Sequence, residues 1–288
     1  MNEQEWLAEK FEAHRSHLQG VAYRMLGSLS EAEDAVQECW LRLSRSDTSE
    51  VENLGGWLTT VVSRLCLDML RVRKSRREDA IDVQTPETLA GQADGSDPEQ
   101  EALLADAVGL ALLIVLGKLS PAERITFVLH DIFAMPFSDI APIVGKSETA
   151  ARQLASRARR RVQGSESVPD GDLAHQRELV DAFLAAARRG DFDTLVATLD
   201  PDVVVRDDRQ AGSIRVTRGA RALASQISGR IQASQPALVN GSAGILAAPR
   251  GKLLYVLQVT IKHGKIVEID LISDPARIDQ LDLAVWND

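Results

Sequence analysis

The chain has 288 residues, 44% of them apolar, and a formal net charge of -9. That length holds two domains or three small ones, with enough apolar material for packed cores. The acidic balance excludes a protein that grips bare duplex DNA strongly on its own, because such affinity comes from neutralising phosphates.

The polar opening Met1–Lys10 does not read as a signal peptide. From Trp6 to Met25, the residues Phe11, Leu18, Val21, Ala22 and Met25 recur at helical spacing, and Gly27 ends that helix. Ser30, with Glu33 three residues on, matches a capping box for a second helix over Ala32–Ser44. Its inner stripe is Ala35, Val36, Cys39, Trp40 and Leu43. Its outer face carries Glu33, Asp34, Gln37, Glu38 and Arg42, read either as a solvated face or as a docking surface for a basic partner. A polar loop, Arg45–Gly56, follows. Trp57–Arg71 is β-branched early, yet Trp57, Val61, Leu65 and Met69 keep a helical stripe. Its end is cationic: Arg71, Arg73, Lys74, Arg76 and Arg77. That exceeds what a helix C-terminus needs to satisfy its dipole and points to an anionic polymer. The two cysteines, Cys39 and Cys66, both lie in helical patterns, as buried thiols in a reducing compartment do.

Glu78–Glu101, with Pro86, Pro98, Gly91, Gly95 and many carboxylates, reads as an acidic linker. Helix returns near Gln100 and runs to Leu119. The apolar run Leu110–Leu116 inside it is core length and too short to cross a bilayer, so a soluble cytoplasmic protein is expected. Ser120-Pro121-Ala122-Glu123 is a clean start signal for a helix over Ala122–Phe133, with Ile125, Val128, Leu129 and Ile132 inside. Beyond it come a short helix that Ser138 can cap, a turn at Gly145, and a longer helix opening after Ser147. In the longer helix Ala151, Leu154, Ala155, Ala158 and Val162 form one apolar face. Thr149, Arg152, Gln153, Ser156 and Arg160 lie opposite. This is the helix-turn-helix pattern; on spacing alone, the alternative is an ordinary helical hairpin with a basic face. Pro142 removes one backbone donor from the first helix.

Gln163–Asp172 reads as a second linker, after which the chain changes type. Leu173–Arg189 is amphipathic and closed by Gly190, and Phe192–Leu199 is a second short helix. Strands are expected at Val203–Val205 and Ser213–Thr217. After a helix at Ala220–Gln232, longer strands are expected at Ala237–Ala248, Lys252–Lys262 and Lys265–Ser273. Pro249-Arg250-Gly251 and His263-Gly264 read as hairpin turns, and Asp274–Asp288 as a short helix or tail. Helices followed by an antiparallel meander make an α+β fold with a curved sheet.

These pieces resemble a known family. Glu33-Asp34-Ala35-Val36-Gln37-Glu38-Cys39-Trp40-Leu41-Arg42-Leu43 is similar to region 2 of extracytoplasmic-function (ECF) sigma factors. Gly56-Trp57-Leu58 with Asp68 and Arg71 resembles the helix that follows it. Leu119-Ser120-Pro121-Ala122-Glu123-Arg124, Ile140-Ala141 with Gly145, and Ser156-Arg157-Ala158-Arg159 resemble region 4. The tail from Gln176 resembles a SnoaL-like (NTF2-like) domain, carried by Gly190-Asp191-Phe192-Asp193 and Leu199-Asp200-Pro201-Asp202-Val203. The chain departs from the family at two places, one in the first linker and one in the tail. Gln84-Thr85-Pro86-Glu87-Thr88-Leu89 stands where such chains carry Trp-Leu-Pro-Glu-Pro, and Asp207–Gly212 stands where they carry a glycine-rich loop.

The resemblance implies two all-α sigma domains, a region 2 helical bundle and a region 4 helix-turn-helix, followed by an α+β cone. The bounds are 5–79 for region 2, 80–105 for a linker, 106–163 for region 4, 164–174 for a second linker and 175–288 for the tail. It implies binding to core RNA polymerase through the β′ coiled coil and β flap, with Asp34, Gln37, Glu38 and Leu41 on the polymerase. It implies that Thr149, Arg152, Gln153, Ser156, Arg157 and Arg160 read the −35 element. Base edges would be read by the first four, while Arg157, Arg159, Arg160 and Arg161 suit phosphates. Asn53, Ser63, Arg64, Arg71 and Lys74 would hold the melted −10 strand. The tail would regulate in cis through intramolecular contacts with the sigma domains. No metal, cofactor or membrane partner is expected. A ligand-sensing or enzymatic tail is the alternative, with Asp207, His263 and Asp270 as candidates for acid–base work. An autonomous repressor would fit the helix-turn-helix but not the region 2 pattern.

Overall fold

The computed structural model describes residues 3–46, 51, 53–79, 109–163, 170–210, 213–229, 234–248 and 253–286. The linker readings at 80–105 and at the start of 164–174, and the turn Pro249–Gly251, lie outside them. By its contacts the chain divides into two compact units. One is drawn from Met1–Leu104 and Leu116–Arg159, the other from Ala105–Val115 and Arg160–Asp288.

The first unit is all helix. Helices α1 (Glu3–Leu26), α2 (Leu29–Leu43) and α3 (Leu54–Asp79) pack on one another. The predicted apolar stripes meet in their core, where Phe11, Leu18, Val21, Met25, Val36, Cys39, Leu58, Val62 and Cys66 are buried. Each large apolar side chain contributes about 1.5–3 kcal/mol by leaving water. Burial also pushes the thiol of Cys39 up to about 11 and that of Cys66 up to about 12, so neither is a reactive thiolate.

The starts of α2 and α3 differ from expectation. Helix α2 is capped by Ser28, whose Oγ accepts from the Glu31 N–H, and Ser30 already lies inside the helix. Helix α3 opens earlier than Trp57 because Asn53 caps it: Asn53 Oδ1 accepts from Gly56 N–H at 2.9 Å. Gly55 and Gly56 therefore form the first turn rather than the end of a loop. A Cβ on Gly55 would sit 3.0 Å from the His14 ring, so glycine lets α3 approach α1.

The unit continues through α4 (Leu110–Lys118), whose first residues belong to the other unit, and α5 (Pro121–Phe127). The capping box at Ser120 and Glu123 forms as expected, with Pro121 in the first turn. The helix does not run unbroken to Phe133. Val128–Ile132 is a π turn, and Ala134 sits at φ 53. Helix α6 (Phe137–Val144) is preceded by Pro136 with no side-chain cap; Ser138 is within the helix and donates to Asp139 instead. Gly145 takes the left-handed conformation, φ 67, and α7 (Glu148–Gln163) follows with Ser147 accepting from Ala150 N–H.

The helical regions before and after residues 80–108 touch within this unit. Arg124 of α5 is 5% exposed, and its Nε and Nη2 donate to the Arg24 carbonyl at 3.3 and 3.2 Å. The Arg24 guanidinium lies 5.4 Å from the centre of the Phe133 ring, and His17 meets that ring edge-on at 5.2 Å. Burial brings the Arg124 guanidinium down to about 10, with Arg73 adding repulsion, a cost on the order of 3 kcal/mol for keeping the charge there.

The second unit carries a seven-stranded mixed sheet in the order β2-β1-β6-β5-β4-β3-β7. The strands are β1 Leu199–Gln210, β2 Ser213–Arg218, β3 Ser234–Val239, β4 Ser242–Ala247, β5 Tyr255–Lys262, β6 Lys265–Ile272 and β7 Leu283–Ala284. Helices α8 (Asp170–Arg189), α9 (Phe192–Thr198) and α10 (Ala220–Ile227) supply Val180, Phe183, Leu184, Leu195 and Leu223 to the core. The sheet supplies Val203, Val205, Ile245, Leu257, Val259, Ile266 and Ile269. All pairings are antiparallel except β1 with β6, the crossover that makes the sheet mixed.

The strand expected over Ala237–Ala248 is two strands. Asn240 and Gly241, at φ 51 and 76, turn the chain between β3 and β4, the Asn-Gly signal of a tight hairpin. The expected three-strand meander is therefore four-stranded. The tail forms α11 (Pro275–Gln280) and then β7, which Asn240 seats by exchanging hydrogen bonds with Asp282 at 2.7 and 3.0 Å.

Two outcomes test this packing. A Cβ on Gly244 would lie 2.3 Å from Val239 Cγ2 and 3.0 Å from the Leu257 carbonyl. Gly244→Ala should lower chemical stability by about 1–3 kcal/mol, read as a shift of the denaturation midpoint of the C-terminal unit. His17 is held below its ordinary pKa by burial first and the neighbouring His14 second. The unfolded chain binds that proton near pH 6.5 and the folded chain resists it, so stability falls as pH drops through about 6.5. His17→Gln should flatten the decline between pH 7.5 and 5.5 in the same denaturation series.

Candidate nucleic-acid and polymerase interfaces

Helix α7 separates its two faces as its sequence requires. Ala151, Leu154, Ala155, Ala158 and Val162 are buried. Thr149, Arg152, Gln153, Arg157 and Arg160 are exposed, with Ser156 half-buried beside them. Small residues inside let α7 pack closely behind the Gly145 turn, which sets the polar face outward. Arg152 is held on both sides: Nη2 donates to Glu148 Oε2 at 2.9 Å, and the guanidinium lies 5.4 Å from the Phe137 ring centre. Phe137 is in turn backed by the His130 ring at 3.9 Å. A planar donor fork resting on an aromatic ring is pre-aligned for bidentate bonding to a base edge.

Other α7 arginines face inward partners. Arg157 Nε lies 3.6 Å from Glu123 Oε1, and Arg159 pairs with Asp131. Nothing in the residue pattern of α7 alone separates these from Arg160, because their partners come from α5 and the π turn.

On α2, Asp34, Gln37, Glu38 and Leu41 fall at i, i+3, i+4 and i+7 and make one stripe. Asp34, Gln37 and Leu41 are exposed and Glu38 is half-buried, with its Oε1 accepting from Arg42 Nε at 3.0 Å. An apolar side chain ringed by carboxylates suits a basic partner surface that also offers an apolar contact.

The −10 candidates are not all alike. Arg64, Arg71 and Lys74 are exposed along α3, and Arg71 pairs with Asp68 at 3.5 Å. Asn53 is exposed, with its side-chain oxygen committed to the α3 cap. Ser63 does not belong with them: it is buried and its hydroxyl donates to the Thr59 carbonyl at 2.6 Å. The Trp57-side stripe places Ser63 one residue after buried Val62, on the packed face. Arg73 is also structural, donating to the Leu26 carbonyl at 3.2 Å and pairing with Glu31.

Residues that sequence reasoning missed are Arg24, Arg124, Phe133 and Phe137. Arg24, Arg124 and Phe133 meet partners about a hundred positions away, and Phe137 meets His130 across the π turn, so no helical spacing marked them; an Arg immediately after a capping box was the single visible hint.

In the C-terminal unit the proposed acid–base residues do not converge. Asp207 is half-buried on β1, and Asp270 pairs with Arg206 at 3.1 Å on β6. His263 is in the exposed β5–β6 turn at φ 51. Among the described residues, no group of His, Cys, Asp and Glu is arranged to hold a metal ion, and no helix is long and apolar enough to cross a membrane.

Comparison with known proteins bears on both helical regions. Sigma-70 region 2 matches residues 11–77, and Sigma-70 region 4 matches residues 110–162. The chain is 40% identical over 286 residues to the ECF RNA polymerase sigma factor SigJ of Mycobacterium tuberculosis, covering 92% of this chain and 91% of that one. The crystal structure of SigJ superposes with a TM-score of 0.46, at 36% identity, over 94% of this chain and 98% of that one. The chain is 36% identical over 287 residues to the probable ECF RNA polymerase sigma factor SigI of the same species, covering 98% of each. An NTF-2 like protein of Burkholderia xenovorans matches 35% of this chain and 85% of its own at 21% identity, with a TM-score of 0.29. With both sigma regions in order and relatives matched along nearly the whole length, the chain belongs to the ECF RNA polymerase sigma factors.

Proposed function

We propose that this sigma factor, which directs transcription initiation with core RNA polymerase, reads its promoter with two separate faces and is regulated by its own C-terminal SnoaL-like domain. The −35 element is read by Thr149, Arg152, Gln153 and Ser156, while Arg157 and Arg160 take phosphates. Arg64, Arg71 and Lys74 hold the −10 strand, with Asn53 at the start of the same helix; Ser63 supports that helix from inside. Asp34, Gln37, Glu38 and Leu41 dock on the β′ coiled coil, and the β flap receives region 4. The observation that carries the reading is the clean division of α7, apolar inside and polar outside, behind a left-handed glycine. The net charge of -9 is consistent with it, since the polymerase supplies the affinity that the acidic chain lacks.

Support for regulation in cis comes from the second unit alone. It includes Ala105–Val115 and Arg160–Asp288, and so takes in both ends of the stretch matched to region 4. Inside that unit the Val285 N–H donates to the Val162 carbonyl at 2.8 Å, closing on the last turn of the recognition helix. The proposed domains are 5–79, 106–163 and 175–288, and the second compact unit takes in both margins of the middle one.

Run-off transcription with core polymerase tests both halves. Arg152→Ala should lose about 1–3 kcal/mol of discrimination at one −35 base pair, as for a bidentate contact. An equal loss on every promoter would instead make Arg152 a phosphate contact. Val285→Pro removes one donor and leaves β7 in place. It should change the output ratio between strong and weak cognate promoters; identical output and promoter choice would remove the regulatory role from this contact.

A further inference from the structure

The segment that joins α5 to α6 is not a plain loop. At Val128–Ile132 the helix widens to a π turn, and the Phe133 N–H reaches back five residues to the Val128 carbonyl at 3.2 Å. Single π turns inside α-helices recur at functional sites. Ala134 then takes φ 53, a left-handed conformation that residues with a Cβ rarely adopt. Together these bring the Met135 carbonyl to the His130 ring, 3.0 Å from Nδ1. A carbonyl only accepts, so Nδ1 carries the proton, and the bond fixes both the tautomer and the orientation of the ring.

The His130 ring so held lies against Phe137, with centroids 3.9 Å apart and planes 30° apart. The Phe137 ring in turn lies 5.4 Å from the Arg152 guanidinium. The π turn has a second hold on α7, because Asp131, next to His130, pairs with Arg159. Arg152 therefore has two braces, Glu148 and the ring, and DNA acts on them differently. Glu148 is an exposed carboxylate, so phosphates repel it, and its pair with Arg152 is weak and screened by salt. The Phe137 ring is uncharged and stays under the guanidinium when Glu148 lets go. A flat support fixes the plane of the donor fork. Two parallel bonds to one base need that plane; a phosphate contact does not.

We propose that His130 is a specificity-determining positioning residue: aimed by the π turn, its ring sets Phe137, and Phe137 sets the plane in which Arg152 meets a −35 base pair. The proposal rests on the assignment of Arg152 to the −35 element and adds two residues that act through Arg152 alone. The π turn and the left-handed Ala134 then have a purpose, since an unbroken α-helix would not turn the Met135 carbonyl onto the ring.

The test is a double-mutant cycle on the full chain with core polymerase. Run-off transcription is compared between a cognate promoter and promoters substituted at each −35 base pair. The discrimination ratio is read at the pair most sensitive to Arg152→Ala. Phe137→Leu, which keeps an apolar side chain but loses the flat ring, should lower that ratio about two- to fivefold, the scale of an exposed cation–π contact. Phe137→Tyr should restore it. His130→Asn, which keeps a donor for the Met135 carbonyl but loses the ring, should lower it in the same direction. In an Arg152→Ala chain neither Phe137→Leu nor His130→Asn should lower it further, whereas a general loosening of region 4 would add to the loss. An unchanged ratio in either variant, or an equal loss with and without Arg152, would overturn the proposal and leave the −35 assignment standing. If Arg152→Ala acts selectively at no base pair, the −35 assignment falls and the proposal falls with it. Should His130→Asn fail to fold, His130→Gln takes its place, and the variants of half-buried Phe137 decide the part of the ring in either case.

Discussion

A guanidinium at 5% exposure has to find acceptors inside the protein, and Arg124 finds them at the end of a helix more than ninety positions away in sequence. Its placement follows from the cap that precedes it. Ser120 and Pro121 fix where α5 begins, Glu123 closes the capping box, and the next residue is aimed by the same turn. Glu123 serves twice, because Oε2 accepts from the Ser120 N–H and hydroxyl while Oε1 faces Arg157 on the recognition helix. One helical turn thus ties together the start of α5, the orientation of α7 and the contact with α1. A substitution there acts on all three, which separates it from a change on the exposed face of α7 alone.

The features legible in the sequence were those with local causes. The stripes of α1 to α3, the Ser120 box, the Gly145 turn and the inner face of α7 each follow from spacing within a turn or two. Caps were harder, since Ser28 and Ser30 are equally good capping residues and the choice falls to where the chain leaves α1. The hairpin at Asn240-Gly241 has a local signature, but it sits within a continuous apolar run that suits one long strand as well as two buried ones. The π turn at Val128–Ile132 and the parallel β1–β6 pairing have no local signature, because both are settled by what packs against them. The site divides the same way. Exposure on α2 and α7 could be read from period, whereas the burial of Ser63 depends on which side of α3 meets its neighbours.

Charge is segregated in this chain rather than balanced. Carboxylates gather on the outer stripe of α2, and cations gather on α7 and toward the end of α3. A net charge of -9 disfavours unaided binding to duplex DNA, yet each face keeps the sign that its proposed partner requires. In the proposed reading the acidic stripe meets the polymerase, and the basic faces act once the polymerase holds region 2 against the promoter.

If α7 reads the −35 element as proposed, specificity depends on how well its exposed side chains are oriented before DNA arrives. Arg152 is braced by Glu148 and by the Phe137 ring, itself stacked on His130. The ion pair is exposed and therefore weak, and DNA can compete for it at little cost. The aromatic support acts on the flat face of the guanidinium and leaves its edge donors open. A lysine at 152 would keep the charge but lose the planar fork and the stacking, so it would retain attraction to the duplex while surrendering base selection. In that reading charge brings this helix to DNA, and the ring beneath Arg152 holds the fork that discriminates.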